Sequence, residues 1–168
     1  MGHRELFLVL LSVVLLTALM VQINASTVDS EEALQELEIA HTAASIAQQY
    51  LEEARSKKFD ANVGVIPAAS MPGGFTPYNN LGPGWWESYP NFNDLDDFHN
   101  FVDTLDVNGV DYRVSVKVHY VRDSSPDVKY NDETYFKRMT VTVTSSWLTD
   151  PGMDSIIVKQ VYSYFGVN

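Results

Sequence analysis

The chain has 168 residues, 45% of them hydrophobic, so it is long enough and apolar enough to bury a core. It carries 22 acidic and 11 basic residues, a formal net charge of −11, and this balance excludes nucleic acid as a favoured partner because phosphate binding needs a basic surface. It has no cysteine, which excludes disulfides, thiolate nucleophiles and cysteine-ligated zinc.

The N-terminal stretch from Leu6 to Val21 is apolar and contains no charge. Its length is at the short end for a membrane-spanning helix and rather long for the core of a signal peptide. Arg4 precedes it and the next basic residue is Arg55, so the positive-inside rule predicts a cytoplasmic N-terminus and an exported remainder. Segment 1–28 is therefore either a retained membrane helix or a signal peptide cleaved near Ala25.

A second helical pattern follows this stretch. Polar residues at Asn24–Ser30 predict a hinge, with Asp29 or Ser30 as the N-cap of the next helix. Small and apolar residues then recur in steps of four and three, at Ala33, Leu37, Ala40, Ala44, Ala47, Leu51 and Ala54. This spacing predicts a helix to about residue 58, with a stripe of small side chains that allows close packing on a sheet or another helix.

Residues 60–110 are predicted to form a loop region. The segment "MPGGFTPYNNLGPG" (71–84) is rich in Pro, Gly and Asn, which prevents a regular element there. The mixed aromatic and acidic segment that follows predicts a short helical turn from about Asp94. A loop of this length in a compact domain is either functional or mobile.

Residues 111–168 are predicted to form β-strands. Apolar and polar residues alternate over nine residues in "DYRVSVKVHYV", and again from Met139 to Val143 in "FKRMTVTVTSSW". "SIIVKQVYSYF" is rich in β-branched and aromatic residues and follows the turn residues Pro151-Gly152. The sequence thus predicts an α+β fold: a long N-terminal helix, apolar in its first half (1–28), and a globular domain (29–168) in which the helix packs on a C-terminal antiparallel sheet.

Three segments and one charged residue resemble the type IV pilin and type II secretion pseudopilin superfamily. Glu5 precedes an apolar run, and "SIAQQYLEEARSKKFD" (Ser45–Asp60) is similar to the "A-Q-x-x-x-E-x-x-R" helix end of minor pseudopilins. "NFNDLDDFHNF" (Asn91–Phe101) resembles the "D-D-V-D-D-Y-x-G" segment of minor pilins of mannose-sensitive haemagglutinin pili, and "KRMTVTVTS" fits the strand that follows it.

This resemblance implies a structural subunit of a pilus-like filament or pseudopilus with a methylated N-terminus. The subunit would sit in the inner membrane with its N-terminus in the cytoplasm, then enter a periplasmic pseudopilus or an extracellular filament. The implied partners are copies of itself or related subunits, an inner-membrane assembly platform, an assembly ATPase acting indirectly and, if a leader is cut, a prepilin peptidase. The implied assembly residues are Glu5, Leu6, Phe7, Leu8, Val9, Leu10, Leu11, Val13, Val14, Leu15 and Leu16.

Glu5 has a specific role in such a filament. A carboxylate beside an apolar core is expensive to bury unless it is paired, and the natural partner is the N-terminal amine of a neighbouring subunit, which would fix the axial register. The alternative is a solvated residue at a membrane edge. Gly2 is a candidate leader-cleavage residue, but cleavage there makes Glu5 the third mature residue, whereas Met1 as the mature N-terminus makes it the fifth, as in the family. The absence of the C-terminal disulfide loop of major pilins favours a pseudopilin or minor pilin.

Two further groups are candidate sites. Asp94, Asp96 and Asp97 offer the oxygen ligands that calcium prefers, or else cap a helix; no EF-hand spacing is present. Trp85 and Trp86 form either a surface contact for a ligand or subunit, or a cap on the core.

No catalytic motif occurs in the sequence. G-x-S-x-G, H-E-x-x-H and a glycine-rich phosphate loop are all absent, and the histidines show no metal spacing, so we predict no enzymatic activity, no catalytic residue and no cofactor other than calcium. Two alternatives to the filament subunit stay open. One is a secreted, signal-peptide-cleaved β-rich binding domain that uses the Trp85-Trp86 loop, and the other is a single-span membrane protein that never polymerises.

Overall fold

A computed structural model describes residues 2–148 and 154–165, except for the side chain of Asp29. It contains one long helix and a four-stranded antiparallel sheet in the order β1-β2-β3-β4, which confirms the predicted α+β fold. The elements are α1 (His3–Arg55), two 3-10 turns (Ala68–Ser70 and Asp96–Phe98), β1 (Val102–Val107), β2 (Val110–Tyr120), β3 (Phe136–Thr144) and β4 (Ser155–Ser163). The predicted Pro151-Gly152 turn and the Met1 terminus lie outside the described residues.

The chain divides into two compact units, one up to Ile39 and one from Ala40 onward. The first unit is helical. The second holds the end of α1, the 60–101 region and the sheet, and it contains the core described below.

The predicted hinge and N-cap near residue 30 are wrong, because α1 is helical throughout this region. Ser30 Oγ donates to the carbonyl of Ser26 at 2.7 Å, and Thr27 Oγ1 donates to that of Ile23 at 2.9 Å. Hydroxyl side chains that bond the carbonyl one turn back are compatible with a helix interior. The same residue types that favour caps are accommodated here within the helix.

The small-residue stripe of α1 is confirmed only at its C-terminal end. Ala47, Leu51 and Ala54 are buried, whereas Ala33 and Leu37 are exposed. The Tyr162 hydroxyl on β4 donates to the carbonyl of Leu51 at 2.6 Å, which ties the sheet to the helix. The helix end from residue 43 to residue 54 therefore supplies one layer of the core, and the small side chains permit a close approach.

Ala47 is expected to tolerate no larger side chain. It is fully buried, so Ala47→Leu forces extra volume into a packed layer and should lower the free energy of unfolding by about 1–3 kcal/mol. Ser45→Leu adds an apolar side chain at an exposed position of the same helical turn and serves as the control. Urea unfolding monitored by circular dichroism measures both. Equal unfolding midpoints for the two variants would contradict the close packing.

The sheet buries the face that the alternation predicts. The inward side chains of β2 are Tyr112, Val114, Val116, Val118 and Tyr120, and those of β3 are Lys137, Met139, Val141 and Val143. Backbone pairing fixes this register, with Val116 opposite Val141 and Val118 opposite Met139. Lys137 is thus a charged residue on the inner face of the sheet.

Strand β1 lies inside residues 60–110, where the sequence analysis predicts loop. Asp103 and Asp106 obscure its alternation, since aspartate is depleted in strands. The two-residue turn Asn108-Gly109 joins it to β2, with φ angles of 56° and 80°. Asn-Gly is the strongest short-range signal for a hairpin with such a turn, and it identifies β1 when the strand pattern does not.

The 60–101 region is irregular, as predicted, but it encloses a small core of its own. Phe59, Met71, Phe75 and Tyr120 are buried together. Because Tyr120 is the last inward residue of β2, this cluster joins the loop region to the sheet.

Candidate functional site

The first half of α1 exposes its apolar side chains on every face. The predicted assembly residues Leu6–Leu16 include ten large apolar side chains that are 45% to 65% exposed, and Leu19, Met20, Val21 and Ile23 continue the pattern. By length and composition this helix could cross a membrane, and a signal sequence has the same character. Within its own unit this surface is uncovered.

Gly2 and Glu5 together begin the helix. The amide N–H groups of Glu5 and Leu6 donate to the Gly2 carbonyl at 3.0 and 3.3 Å. The Gly2 N–H in turn donates to Glu5 Oε2 at 3.2 Å. This is the glutamate half of a capping box, with Gly2 as N-cap and Glu5 at the third helical position; glycine has no side chain to supply the other half. Glu5 therefore has a structural role in its own chain that is distinct from the predicted pairing with a neighbouring subunit.

Trp85 and Trp86 lie at the surface, 90% and 92% exposed, with ring centroids 6.5 Å apart. They do not cap the core. A tight turn presents them, because the Glu87 carboxylate accepts the Gly84 N–H at 2.7 Å and the Glu87 N–H donates to the Gly84 carbonyl at 3.0 Å. A Cβ at Gly84 would lie 2.8 Å from that carboxylate, so a larger residue there would displace the end of the Glu87 side chain. Two adjacent uncovered indoles on a braced turn form an exposed apolar patch, and a contact role for it stays a prediction.

The most densely bonded polar group in the second unit surrounds Lys137. Its side chain is fully buried, and Nζ donates to three oxygens: Asp96 Oδ1 at 2.7 Å, Asp60 Oδ2 at 2.8 Å and the Phe59 carbonyl at 2.8 Å. The rings of Phe59 and Tyr120 lie 4.7 and 5.1 Å from the ammonium nitrogen. An ammonium has three donors, so every donor is used. One lysine thus joins β3 to the segment after α1 and to the 96–98 turn.

Asp60 is held from its other side by the loop region. Its carboxylate accepts the N–H groups of Asn62 and Thr76 at 3.1 and 2.9 Å, and the Thr76 hydroxyl at 3.2 Å. The Tyr120 hydroxyl donates to the Thr76 carbonyl at 2.8 Å and lies 3.3 Å from Asp60 Oδ2. Burial, followed by the charge of Asp60, raises the pKa of Tyr120. This phenol stays protonated and serves as a donor.

Asp94, Asp96 and Asp97 come together around one buried turn. Asp94 Oδ1 accepts the N–H groups of Asp96 and Asp97 at 2.9 and 3.2 Å, which is the capping role considered for this segment. Asp97 Oδ2 accepts those of Asn93 and Asp94 at 2.8 and 3.2 Å. Burial raises the pKa of Asp94 to about 8 and that of Asp97 to about 6.

These contacts occupy oxygens that a calcium ion would need. Over residues 2–148 and 154–165, no three His, Asp or Glu side chains are arranged to hold a metal ion. Calcium binding at Asp94, Asp96 and Asp97 stays a prediction.

Lys137 and Asp60 are not among the residues that the sequence analysis singles out. The signal for Lys137 was present: the inward register of Met139, Val141 and Val143, continued by two residues, places Lys137 on the buried face. A lysine on that face requires buried carboxylates, because an unpaired buried charge is prohibitively costly. Asp60 has no comparable local signal, since its position depends on the path of the loop.

Two of the scattered histidines are neighbours in the fold. The rings of His99 and His119 lie 5.2 Å apart, and His99 Nδ1 accepts the Val118 N–H at 3.1 Å. Burial, followed by the charge of His99, lowers the pKa of His119 to about 4, and burial also lowers that of His99. Both imidazoles are neutral at physiological pH and act as packing groups.

Comparisons with protein-family models, with curated proteins and with solved structures found no match to this chain. The class that the structure defines is an α+β protein whose N-terminal helix is apolar, uncovered and long enough to enter a membrane.

Proposed function

We propose that this protein is a structural subunit of a type IV pilus-like filament or pseudopilus, which assembles through the apolar first half of α1. The observation that carries the proposal is the uncovered apolar surface from Leu6 to Ile23. At roughly 25 cal/mol per Å² of apolar surface, leaving such a helix in water is strongly unfavourable. A bilayer before assembly, and the equivalent helices of neighbouring subunits afterwards, would both cover it.

Features beyond the apolar run support assembly over simple anchoring. Leu37, on the predicted stripe, and Leu34 beside it are 67% and 66% exposed. They extend the uncovered apolar surface past a length that a single bilayer crossing needs. Helix-to-helix contacts with other subunits would bury them. The resemblance of segments 45–60 and 91–101 to minor pseudopilins and minor pilins is independent support.

In this proposal the subunit resides in the inner membrane before assembly. Its partners are further subunits, an inner-membrane platform and, indirectly, an assembly ATPase; a prepilin peptidase acts only if a leader is cut. The acidic globular unit, which contains no cysteine, would face the periplasm or the exterior.

A second candidate function follows from the exposure of Trp85 and Trp86. If the N-terminal segment is removed, the remaining protein is a secreted binding domain with this tryptophan turn as its contact surface. An open cleft of about 630 Å³, lined partly by Gly82, Pro83 and Phe101, begins on the same loop and suits a small ligand.

The intact mass of the protein in sheared and pelleted surface material separates the two functions. We expect a mass that includes residues 6–23, and this mass also locates the mature N-terminus relative to Glu5. A soluble protein whose mass begins near Ser26 would contradict the filament subunit and support the secreted domain.

Glu5→Gln is expected to abolish or strongly reduce incorporation into pelleted filaments. Glutamine retains an oxygen that can accept the Gly2 N–H and so preserves the cap, but it loses the charge that a neighbouring amine would pair with. Quantitative immunoblotting of pellet and membrane fractions measures the effect.

Glu31→Gln makes the same change at an exposed position of the same helix and serves as the control. Normal incorporation of the Glu5→Gln subunit would restrict Glu5 to its capping role.

A further inference from the structure

A primary amine and two carboxylates meet in the core without access to water. Lys137 and Asp60 are fully buried, and the Asp96 side chain is 4% exposed. The lysine Nζ lies 2.7 Å from Asp96 Oδ1. An amine bonded to a carboxyl oxygen at this distance has the carboxyl carbon at near-attack range, about 3.5 Å. The amine and the Asp96 carboxyl carbon are therefore close enough for a bond between them to be considered.

We propose that Lys137 and Asp96 form an intramolecular isopeptide bond, an amide between lysine Nζ and aspartate Cγ, with Asp60 and Asp94 as the groups that move protons. The proposal is independent of filament assembly. The bond would fix β3 covalently to the 96–98 turn.

The environments of the two carboxylates assign their roles. Asp60 accepts three hydrogen bonds from Asn62 and Thr76, which hold its carboxylate in place with Oδ2 2.8 Å from the lysine Nζ, so it is positioned to take a proton from the ammonium. Asp96 lacks such a set: its carboxyl contacts the lysine, and Asp94 lies beside it in the same turn, where Asp94 Oδ1 accepts the Asp96 N–H at 2.9 Å. Because burial keeps Asp94 protonated at neutral pH, Asp94 is an acid next to the reacting carboxyl.

The step balances without a further reactant. Asp60 takes a proton from the ammonium while Asp94 gives one to Asp96. The neutral amine then attacks the Asp96 carboxyl carbon, and the new nitrogen centre returns a proton to Asp94. The departing hydroxyl takes the proton held by Asp60 and leaves as water. The nitrogen has lost two protons and Asp96 one oxygen, while Asp60 and Asp94 end in their starting states.

The energetics of burial favour the product. A buried ion pair carries a desolvation cost that its attraction repays only in part. Condensation removes both charges of the Lys137–Asp96 pair; Asp60 loses its cation as well, and its anion is then stabilised by the three hydrogen bonds from Asn62 and Thr76. The enclosing core, which includes Phe59 and Tyr120, limits the water needed for the reverse hydrolysis.

A pair of variants with identical composition tests the bond. Lys137→Met and Lys159→Met have the same sequence mass, and Lys159 lies in an exposed ion pair with Asp127 in the loop between β2 and β3. Intact masses of the two full-length chains are measured after denaturation, so any N-terminal processing is common to both. We expect the Lys159→Met protein to be lighter by one water molecule. Equal masses would overturn the proposal. If the methionine variants are not recovered, the two corresponding Lys→Arg variants give the same comparison.

Asp96→Asn identifies the carboxyl partner. Condensation of the lysine with an asparagine releases ammonia, so this variant should show loss of ammonia or no loss at all. Loss of water from it would place the bond elsewhere and overturn the assignment. Tandem mass spectrometry of the digested wild-type protein should find a linked pair of peptides that joins Lys137 to Asp96; a link from Lys137 to Asp60 would equally overturn it.

Discussion

Replacing Lys137 with Met is expected to lower the free energy of unfolding by about 3–5 kcal/mol, the cost of leaving buried carboxylates without their cation. Lys137 is the cation that contacts both Asp60 and Asp96 among the described residues, and neither aspartate can reach water without disturbing the core. Urea unfolding of the full chain in detergent, monitored by circular dichroism, measures the loss of stability.

Two matched proteins sharpen this measurement. Lys159→Met removes the same charge from a surface pair that is 3.4 Å apart and largely exposed, and it should change the free energy of unfolding by less than about 1 kcal/mol. The triple variant Lys137→Met, Asp60→Asn, Asp96→Asn removes the whole ionic group and should recover part of the loss, because neither Asp60 nor Asp96 is then left as a buried anion without its cation. If Lys137→Met were as stable as Lys159→Met, the buried ion pair would not be what holds the segment after α1 and the 96–98 turn together.

The helix and strands of this fold could be predicted where apolar residues recur with a clear helical or strand period. The strand alternation from Tyr112 to Tyr120 and the helical stripe that ends at Ala54 are both visible in the sequence; the strand is buried as predicted, and the stripe is buried only at its C-terminal end. The errors lie where one residue type serves two purposes. Ser30 can cap a helix or bond within it, and Asp106 obscures a strand that the adjacent Asn-Gly turn specifies.

The candidate sites also include some that the sequence predicts and some that it does not. The exposed apolar residues after Glu5 could be predicted, since a run of that length has no place in a small core. The Lys137 group could be predicted only in part. Its register on β3 is local information, but Asp60 and Asp96 meet it across 77 and 41 residues of chain. Only the tertiary path of the loop brings those partners together.

The buried acidic turn makes stability fall as pH rises. Burial, followed by the charge of Asp96, raises the pKa of Asp94 to about 8, above its value of 3.8 in an unfolded chain. The folded state therefore binds more protons than the unfolded state between these values. The stabilisation is complete below the unfolded pKa and is lost as pH rises through about 8. Asp97, with a pKa raised to about 6, adds the same trend at lower pH.

The histidines define the window in which Asp94 can be observed alone. The lowered pKa values of His99 and His119 have the opposite effect on stability. Below pH 6.5 these histidines bind protons more readily in the unfolded chain than in the folded one, so the free energy of unfolding falls as pH falls. Between pH 6.5 and 8 these imidazoles are neutral and Asp97 is ionised, which leaves Asp94 as the group of this cluster that titrates. At up to about 1.4 kcal/mol per pH unit, the free energy of unfolding should fall by roughly 2 kcal/mol across this interval.

Asp94→Asn should abolish this pH dependence and raise stability at pH 8. The asparagine Oδ1 can still accept the N–H groups of Asp96 and Asp97, so the turn keeps its cap, but no buried carboxyl remains to ionise. Thermal melts at pH 6.5 and pH 8 should therefore differ by roughly 5 °C in the wild-type protein and much less in the variant. Asp106→Asn, at an exposed carboxylate that also accepts a turn N–H, is the matched control and should keep the wild-type difference. A variant that still loses stability between pH 6.5 and pH 8 would show that another group, and not the protonated Asp94, links this turn to pH.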